Sequence, residues 1–137
     1  MIRKIVFLIF SFAIFICNSY GNILKINDSI YSSVIERDQW GVPHIYGNRD
    51  SDVAFGLAYA HSQDDFKSIQ DIILASRGVL SSVYGKEAAV NDYYVNLMGF
   101  WNNVNENYDE KVPIDVQNLC DGYASGINLF LMDNPSL

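Results

Sequence analysis

The sequence predicts an α+β chain in which an N-terminal β-hairpin is followed almost entirely by α-helices. Three observations lead there. Residues 31–37 (YSSVIER) and 42–46 (VPHIY) are short runs of β-branched and aromatic residues, and the DQWG between them carries turn chemistry. Beyond Asp50, apolar residues recur at helical spacing. The amphipathic helices also outnumber the surfaces available to cover them. A lone hairpin is marginal in water, and a domain is built from complete packed layers. The expectation is an incomplete domain whose sheet is finished by further polypeptide. The alternative is a small bundle of the helices alone, which leaves one face of the hairpin with little to cover it.

Taken in order, residues 1–21 read as a signal peptide. Arg3 and Lys4 form a basic start, Ile5 to Cys17 is apolar apart from Ser11, and Ser19 and Gly21 put small residues at −3 and −1 of a cut before Asn22. The apolar run is short for a bilayer span, so retention as an anchor is the lesser alternative. Lipid attachment at Cys17 is set aside because Ile16 is bulky where a small residue is wanted. The expected location is exported, periplasmic or secreted, with no stable membrane anchor after signal cleavage. Removing the leader takes two of the 9 basic residues and none of the 16 acidic ones, leaving a net charge of −9 on residues 22–137. Such a chain has no basic stripe to displace phosphate counterions, so a nucleic-acid partner is not expected. Cys120 is then the one remaining cysteine, read as a buried inert thiol.

Pro43 places the second strand of the hairpin at an edge or a strand start. Asp50 or Ser51 is expected to cap a helix over 52–76, with Phe66, Ile69, Ile72 and Ile73 on one side and Asp64, Asp65, Lys67 and Asp71 outward. Gly78 stops it, and VLSSVYG adds a short turn. A third element spans about Asp92 to Tyr108, with Tyr94, Leu97, Met98, Trp101, Val104 and Tyr108 at helical spacing. Pro113 opens a fourth, where Val116, Leu119, Cys120, Tyr123, Ile127, Phe130 and Leu131 share a face.

Local spacing offers little chemistry. His44 lacks a neighbouring nucleophile and orienting acid, and reads as a hydrogen-bonded structural residue. In HSQDD (61–65), His61, Asp64 and Asp65 would share one helix side. That could hold a metal, or it could be a helix face whose Asp64 pairs with an arginine such as Arg77. No G-x-S-x-G elbow, phosphate loop, H-E-x-x-H or zinc cysteine pair occurs.

Residues 34–66, VIERDQWGVPHIYGNRDSDVAFGLAYAHSQDDF, strongly resemble the start of the α-chain in the penicillin acylase family of N-terminal-nucleophile (Ntn) hydrolases. The matching positions are Arg37, Asp38, Gly41, Val42, Pro43, His44 and Ile45, then Phe55, Gly56, Tyr59, Ala60, Gln63 and Asp64. Arg77 and Gly78 in ILASRGVLSSVYG, and Gly122, Tyr123 and Gly126 in LCDGYASGIN, continue the series in order. Asp65 departs from it, standing where many members carry Arg. The DDFKSIQDIILASRG stretch is closer to the branch that deacylates acyl-homoserine lactones and lipopeptides.

The resemblance implies part of an αββα sandwich and an exported precursor that cuts itself into α and β chains. It further implies a β-chain N-terminal serine that attacks an amide carbonyl with its own amine as base. The substrate would be a small N-acylated amide of acyl-homoserine lactone, lipopeptide or β-lactam type. The nucleophile is expected downstream of Leu137, since Ala75-Ser76 and Ala124-Ser125 fall in predicted helices and no Gly-Ser dipeptide occurs. The matched residues are therefore expected to be structural, with no catalytic residue and no metal or cofactor in this chain. A structural calcium in the full enzyme would have its ligands elsewhere, and the partner would be the precursor's own β-chain. The competing expectation is a non-catalytic exported binding module on the same scaffold.

Overall fold

The computed structural model describes residues 21–137. The stretch read as a signal peptide lies outside the described residues, apart from its last residue, Gly21. The fold is α+β, as expected, but the hairpin is part of a three-stranded antiparallel meander: β1 (Asn22–Asn27), β2 (Ser32–Arg37) and β3 (Pro43–Gly47), with β2 in the centre. The extra strand, NILKIN, follows closely on the apolar run of residues 5–17 and has adjacent apolar residues, so it shows no alternation to read. Its turn is closed by Asp28, whose Oδ1 accepts the amides of Ile30 (2.7 Å) and Tyr31 (2.6 Å). The second turn uses Asp38, which accepts the amides of Trp40 (2.8 Å) and Val42 (2.9 Å), while Gly41 supplies a φ of 82°.

Register decides which side chains meet the helices. Ile35 stands opposite Leu24 and Ile45, Ser33 opposite Ile26 and Gly47, and Arg37 opposite Asn22 and Pro43. These rows share one face because strand side chains alternate. Ile23, Lys25, Val34, Glu36, His44 and Tyr46 occupy the other.

α1 (Asp50–Ser76) is not the single helix the spacing predicts. Asp65 has φ −156° and ψ 71°, and its carboxylate accepts the Ser68 amide (3.1 Å) and hydroxyl (2.6 Å). It thus leaves the first helix and caps a second. In a straight helix Ala54 and Ile72 would be about 27 Å apart, yet both line one hollow of about 530 Å³, so the chain turns back at Asp65. The expected cap at Asp50 or Ser51 is also displaced. Arg49 is the cap residue, and Asp52 in the first turn accepts its backbone amide (3.1 Å) and its guanidinium (2.7 Å).

α2 (Ser81–Tyr84) and a 3₁₀ turn (Gly85–Ala88) lead to α3 (Ala89–Leu97) and α4 (Phe100–Lys111). The element predicted over 92–108 is thus split after Leu97, where Gly99 takes a φ of 63°. α4 is fastened to the end of α1: the Trp101 indole N–H donates to the Ser76 carbonyl (2.7 Å), and Arg77 lies 4.1 Å over the Trp101 ring. α5 (Ile114–Asp133) starts after Pro113, which occupies the cap position.

The core is Ile26, Ile35, Phe55, Tyr59, Ala60 and Phe130, flanked by Tyr31, Ile45, Phe66 and Leu129. α5 reaches it differently from the predicted apolar face. Its buried residues are Gly122, Gly126 and Phe130, whereas Val116, Leu119 and Leu131 remain partly exposed and Cys120 is exposed rather than buried. A Cβ on Gly122 would collide with the Ser51 carbonyl, and one on Gly126 with the Phe55 carbonyl. The small face wins because two backbones that close leave no room for a side chain between them. Tyr94, Leu97 and Met98, placed at helical spacing in the sequence, lie open to solvent.

Gly122→Ala and Gly126→Ala are each expected to lower stability by about 1–3 kcal/mol through overpacking. Cys120→Ala should stay within about 0.5 kcal/mol of the parent. Denaturant midpoints at constant m-value check this.

Candidate functional site

The residues singled out from the sequence gather at three places. The first is the corner where the β2–β3 turn meets the end of the first α1 segment. Arg37, on the helix-facing side of β2, donates Nη1 to the Gly41 carbonyl (2.8 Å) and to Asp64 Oδ2 (3.3 Å), while its Nη2 forms an ion pair with Asp64 Oδ1 at 2.8 Å. Its outer hydrogen bonds run to Gln63 Oε1 (3.3 Å) and the Ala60 carbonyl (3.5 Å). One planar guanidinium thus joins a turn to the last helical residues before the chain bends at Asp65. The arginine suggested for Asp64, Arg77, is engaged instead with Trp101. Asp38 and His44 complete the corner, with His44 Nε2 3.5 Å from Asp38 Oδ2 and both side chains in contact with solvent. Partial burial would raise the Asp38 carboxyl, but the Val42 and Trp40 amides and the His44 ring outweigh it and hold it below its ordinary range. Pro43 sits opposite Arg37 at the start of β3.

The second place is the α1 interior. Phe55 is fully buried and stacks on Tyr31 at 5.7 Å, and Gly56 lies against Ser33 and Ile45 so closely that a Cβ would clash with both. Tyr59 donates its hydroxyl to Asp133 Oδ2 (2.9 Å) and meets Phe130 edge-on at 5.6 Å. Burial first, and the Asp133 carboxylate second, push its phenol up to about 12. The third place is the α1–α5 contact, where Gly122 and Gly126 pack on α1 backbone and the Tyr123 hydroxyl lies 3.1 Å from His61 Nδ1. Gly78, with φ 66°, packs beneath Val95 and Asn96 where α1 ends.

Sequence reasoning missed Arg49 and Asp52. Asp52 is 3% exposed, and its second acceptor role is to the Ser32 amide (3.3 Å), so it locks α1 to the start of β2. The Arg49 side chain, then burial in opposition, then the Ser32 amide set its carboxyl below the ordinary range. NRDSD carries no capping-box pattern that could have found them, because arginine is not a residue type that caps a helix through its side chain.

These groups hold strands and helices together. His61 turns to Tyr123, Asp64 to Arg37 and Asp65 to Ser68, so the three residues of HSQDD go three ways. Among the described residues no group of three or more His, Cys, Asp or Glu could hold a metal. The described serine hydroxyls that donate hydrogen bonds do so to backbone carbonyls or to Asp65, never to a histidine. Hollows flank the core, among them one of about 370 Å³ lined by Tyr31, Arg49, Ser51 and Leu119. One of about 720 Å³ is lined by Asn22, Leu24, Arg37, Gly41, Gln63 and Asp64. The apolar one of about 530 Å³ is lined by Ile69, Ile72, Ile73, Leu119, Tyr123 and Ile127 among others.

Arg37→Lys should cost about 1–3 kcal/mol, since a point charge cannot reach the turn carbonyl and the carboxylate together; chemical denaturation reads it. For Tyr59 the folded phenol titrates above its unfolded counterpart. Its contribution is therefore complete below about pH 10 and is lost as pH rises towards about 12. Tyr59→Phe should flatten the alkaline limb of the stability–pH curve.

Comparison with known proteins places this geometry. The family model described as penicillin amidase matches residues 33–136. An acyl-homoserine lactone acylase (PvdQ) of Pseudomonas fluorescens is 28% identical over 107 residues, covering 72% of this chain and 14% of that protein. A penicillin acylase 2 proenzyme of Pseudomonas sp. is 26% identical over 103 residues, covering 75% of this chain and 13% of the relative. The chain therefore spans about one seventh of the length of these curated relatives. Among solved structures, the thermostable penicillin G acylase from Alcaligenes faecalis superposes with a TM-score of 0.61 at 20% identity, over 82% of this chain and 57% of that one, and so shares its fold. The match runs from the second residue of β2 to beyond the end of α5, and this chain belongs to the penicillin amidase family.

Proposed function

We propose that residues 22–137 are the N-terminal portion of the α-chain of an exported, self-processing amidohydrolase. The enzyme hydrolyses the linear amide bond of small N-acyl compounds of acyl-homoserine lactone, lipopeptide or β-lactam type. Its nucleophile is a serine at the N-terminus of a β-chain cut from the same precursor, and the meander is one part of an αββα sandwich completed by that longer polypeptide. The observation that carries this reading is the family match over residues 33–136. Relatives named as acylases, one of them a proenzyme, support the reaction class.

The chemistry accounts for the division of labour. A serine inside a chain has an amide nitrogen before it, which cannot accept a proton; freed by cleavage, that nitrogen becomes the base. Donors aimed at the developing oxyanion then lower the barrier. Nothing in that machinery requires the α-chain N-terminus to do more than hold its sheet and helices in place.

The test is amine release from an N-acyl-homoserine lactone and from penicillin G by the full gene product. Mass spectrometry should find two chains, and replacing the serine that begins the larger one by alanine should lower kcat by about 10⁴-fold or more. Residues 22–137 expressed alone should release no amine. Activity in residues 22–137 alone would place the nucleophile here and overturn the proposal. A two-chain product without amine release would favour a binding module on this scaffold.

A further inference from the structure

We infer that the edge of β1 facing away from β2 is an interaction surface for an extended strand of the longer polypeptide, which adds to the meander beside Asn22–Asn27. This rests on the reading of residues 22–137 as one part of a longer enzyme, and it names the edge at which the sheet continues.

β1 is patterned for the inside of a sheet. Ile23 and Leu24 belong to opposite faces, and Ile26 shares the face of Leu24. Apolar residues on both faces mark a strand that is covered on both sides. Yet Ile26 is the one buried residue of the six, while Ile23 is 62% and Leu24 36% exposed. α1 packs on β2 and β3, and among the described residues β2 is the single neighbour of β1 in the sheet. The hollow of about 720 Å³ takes in Asn22, Ile23 and Leu24 of β1 together with Gln63 and Asp64 of α1. Because Ile23 and Leu24 lie on opposite faces, this hollow reaches round the open edge of β1.

The two edges of the meander differ. β3 begins at Pro43, which has no N–H to donate. At its other end Gly47 lies so close to α1 that a Cβ would meet Asp52 and the Val53 backbone nitrogen. Only His44, Ile45 and Tyr46 remain between the proline and the helix. β1 instead offers six residues in unbroken register with β2 and no proline. Its outward N–H and C=O groups form a template on which main-chain hydrogen bonds give a partner strand its affinity.

A second copy of β1 fits this edge poorly. With all six residues paired antiparallel, Lys25 stands opposite the copy's Leu24, so the helix-facing side of one sheet runs into the outer side of the other. A slip of one residue sets Lys25 opposite Lys25 in one direction and opposite Ile23 in the other. Lys25 makes no ion pair among the described residues. The strand that fits carries apolar residues on both faces and an acid beside Lys25.

The experiment is hydrogen–deuterium exchange of the full gene product, resolved to single amides by fragmentation mass spectrometry and repeated on dilution. Every amide from Ile23 to Asn27 should exchange about 100-fold or more slower than in an unstructured peptide, at every protein concentration. In a bare edge strand alternate amides face water, so fast exchange at every second position would overturn the proposal. Protection that disappears on dilution would assign the edge to a second copy and overturn it as well. Amine release, measured on the same sample, separates this from the enzymatic reading. Release with every second amide fast sinks the β1 edge alone, and full protection without release sinks the enzymatic reading alone.

Discussion

The structure depends on the first half of α1 being closed in from two sides, by the sheet and by α5. On the sheet side Gly56 lets the helix settle against Ser33 and Ile45; on the other, Gly122 and Gly126 let α5 rest on the carbonyls of Ser51 and Phe55. Wherever backbone meets backbone there is no space for a Cβ, so the packing distance is set by absent side chains. Larger residues then fill the room that remains. Phe55 and Ile35 are almost wholly enclosed, and Phe130 reaches over the end of the contact to Tyr59 and Phe66. Interiors packed to crystal density tolerate little change in such a stack.

Polar groups orient that packing. Arg49 and Asp52 hold the first turn of α1 to the start of β2, and Arg37 holds the β2–β3 turn to the helix just before it bends. Each connects segments distant in sequence, and each uses a charged partner where an uncharged one would reach fewer acceptors. Asp65 then turns the chain back, so that Phe66 enters the core while Ile69, Ile72 and Ile73 face α5 across an apolar hollow. The arm from α2 to α4 hangs from that returning helix by the Trp101–Ser76 hydrogen bond and the Arg77–Trp101 contact.

This clarifies what the family resemblance rests on. Residues that made the chain recognisable include glycines at close approaches, the turn acid Asp38, and Arg37, which joins the Gly41 carbonyl to Asp64. They are demands of geometry, and geometry tolerates fewer substitutions than a merely apolar position does. A shared scaffold identifies lineage, whereas chemistry belongs to particular groups brought together.

By itself the sequence determined the α+β class, the β2–β3 hairpin with its Asp38 turn, and the presence of helices over most of the remainder. Alternation, helical spacing and turn chemistry are local and could be read from Val34, Ile35, Phe66 or Pro113. It also marked Arg37, Asp64, Gly122 and Gly126 without saying what each would touch. Tertiary structure alone decided the corner at Asp65, the pairing of Asp64 with Arg37, and the use of α5's glycine face with Cys120 left exposed. It also recruited NILKIN as a strand. The reason is common to all four: a period says which residues share a face. Which face is buried depends on how closely two backbones can approach, a property of the pair of elements and of neither one alone.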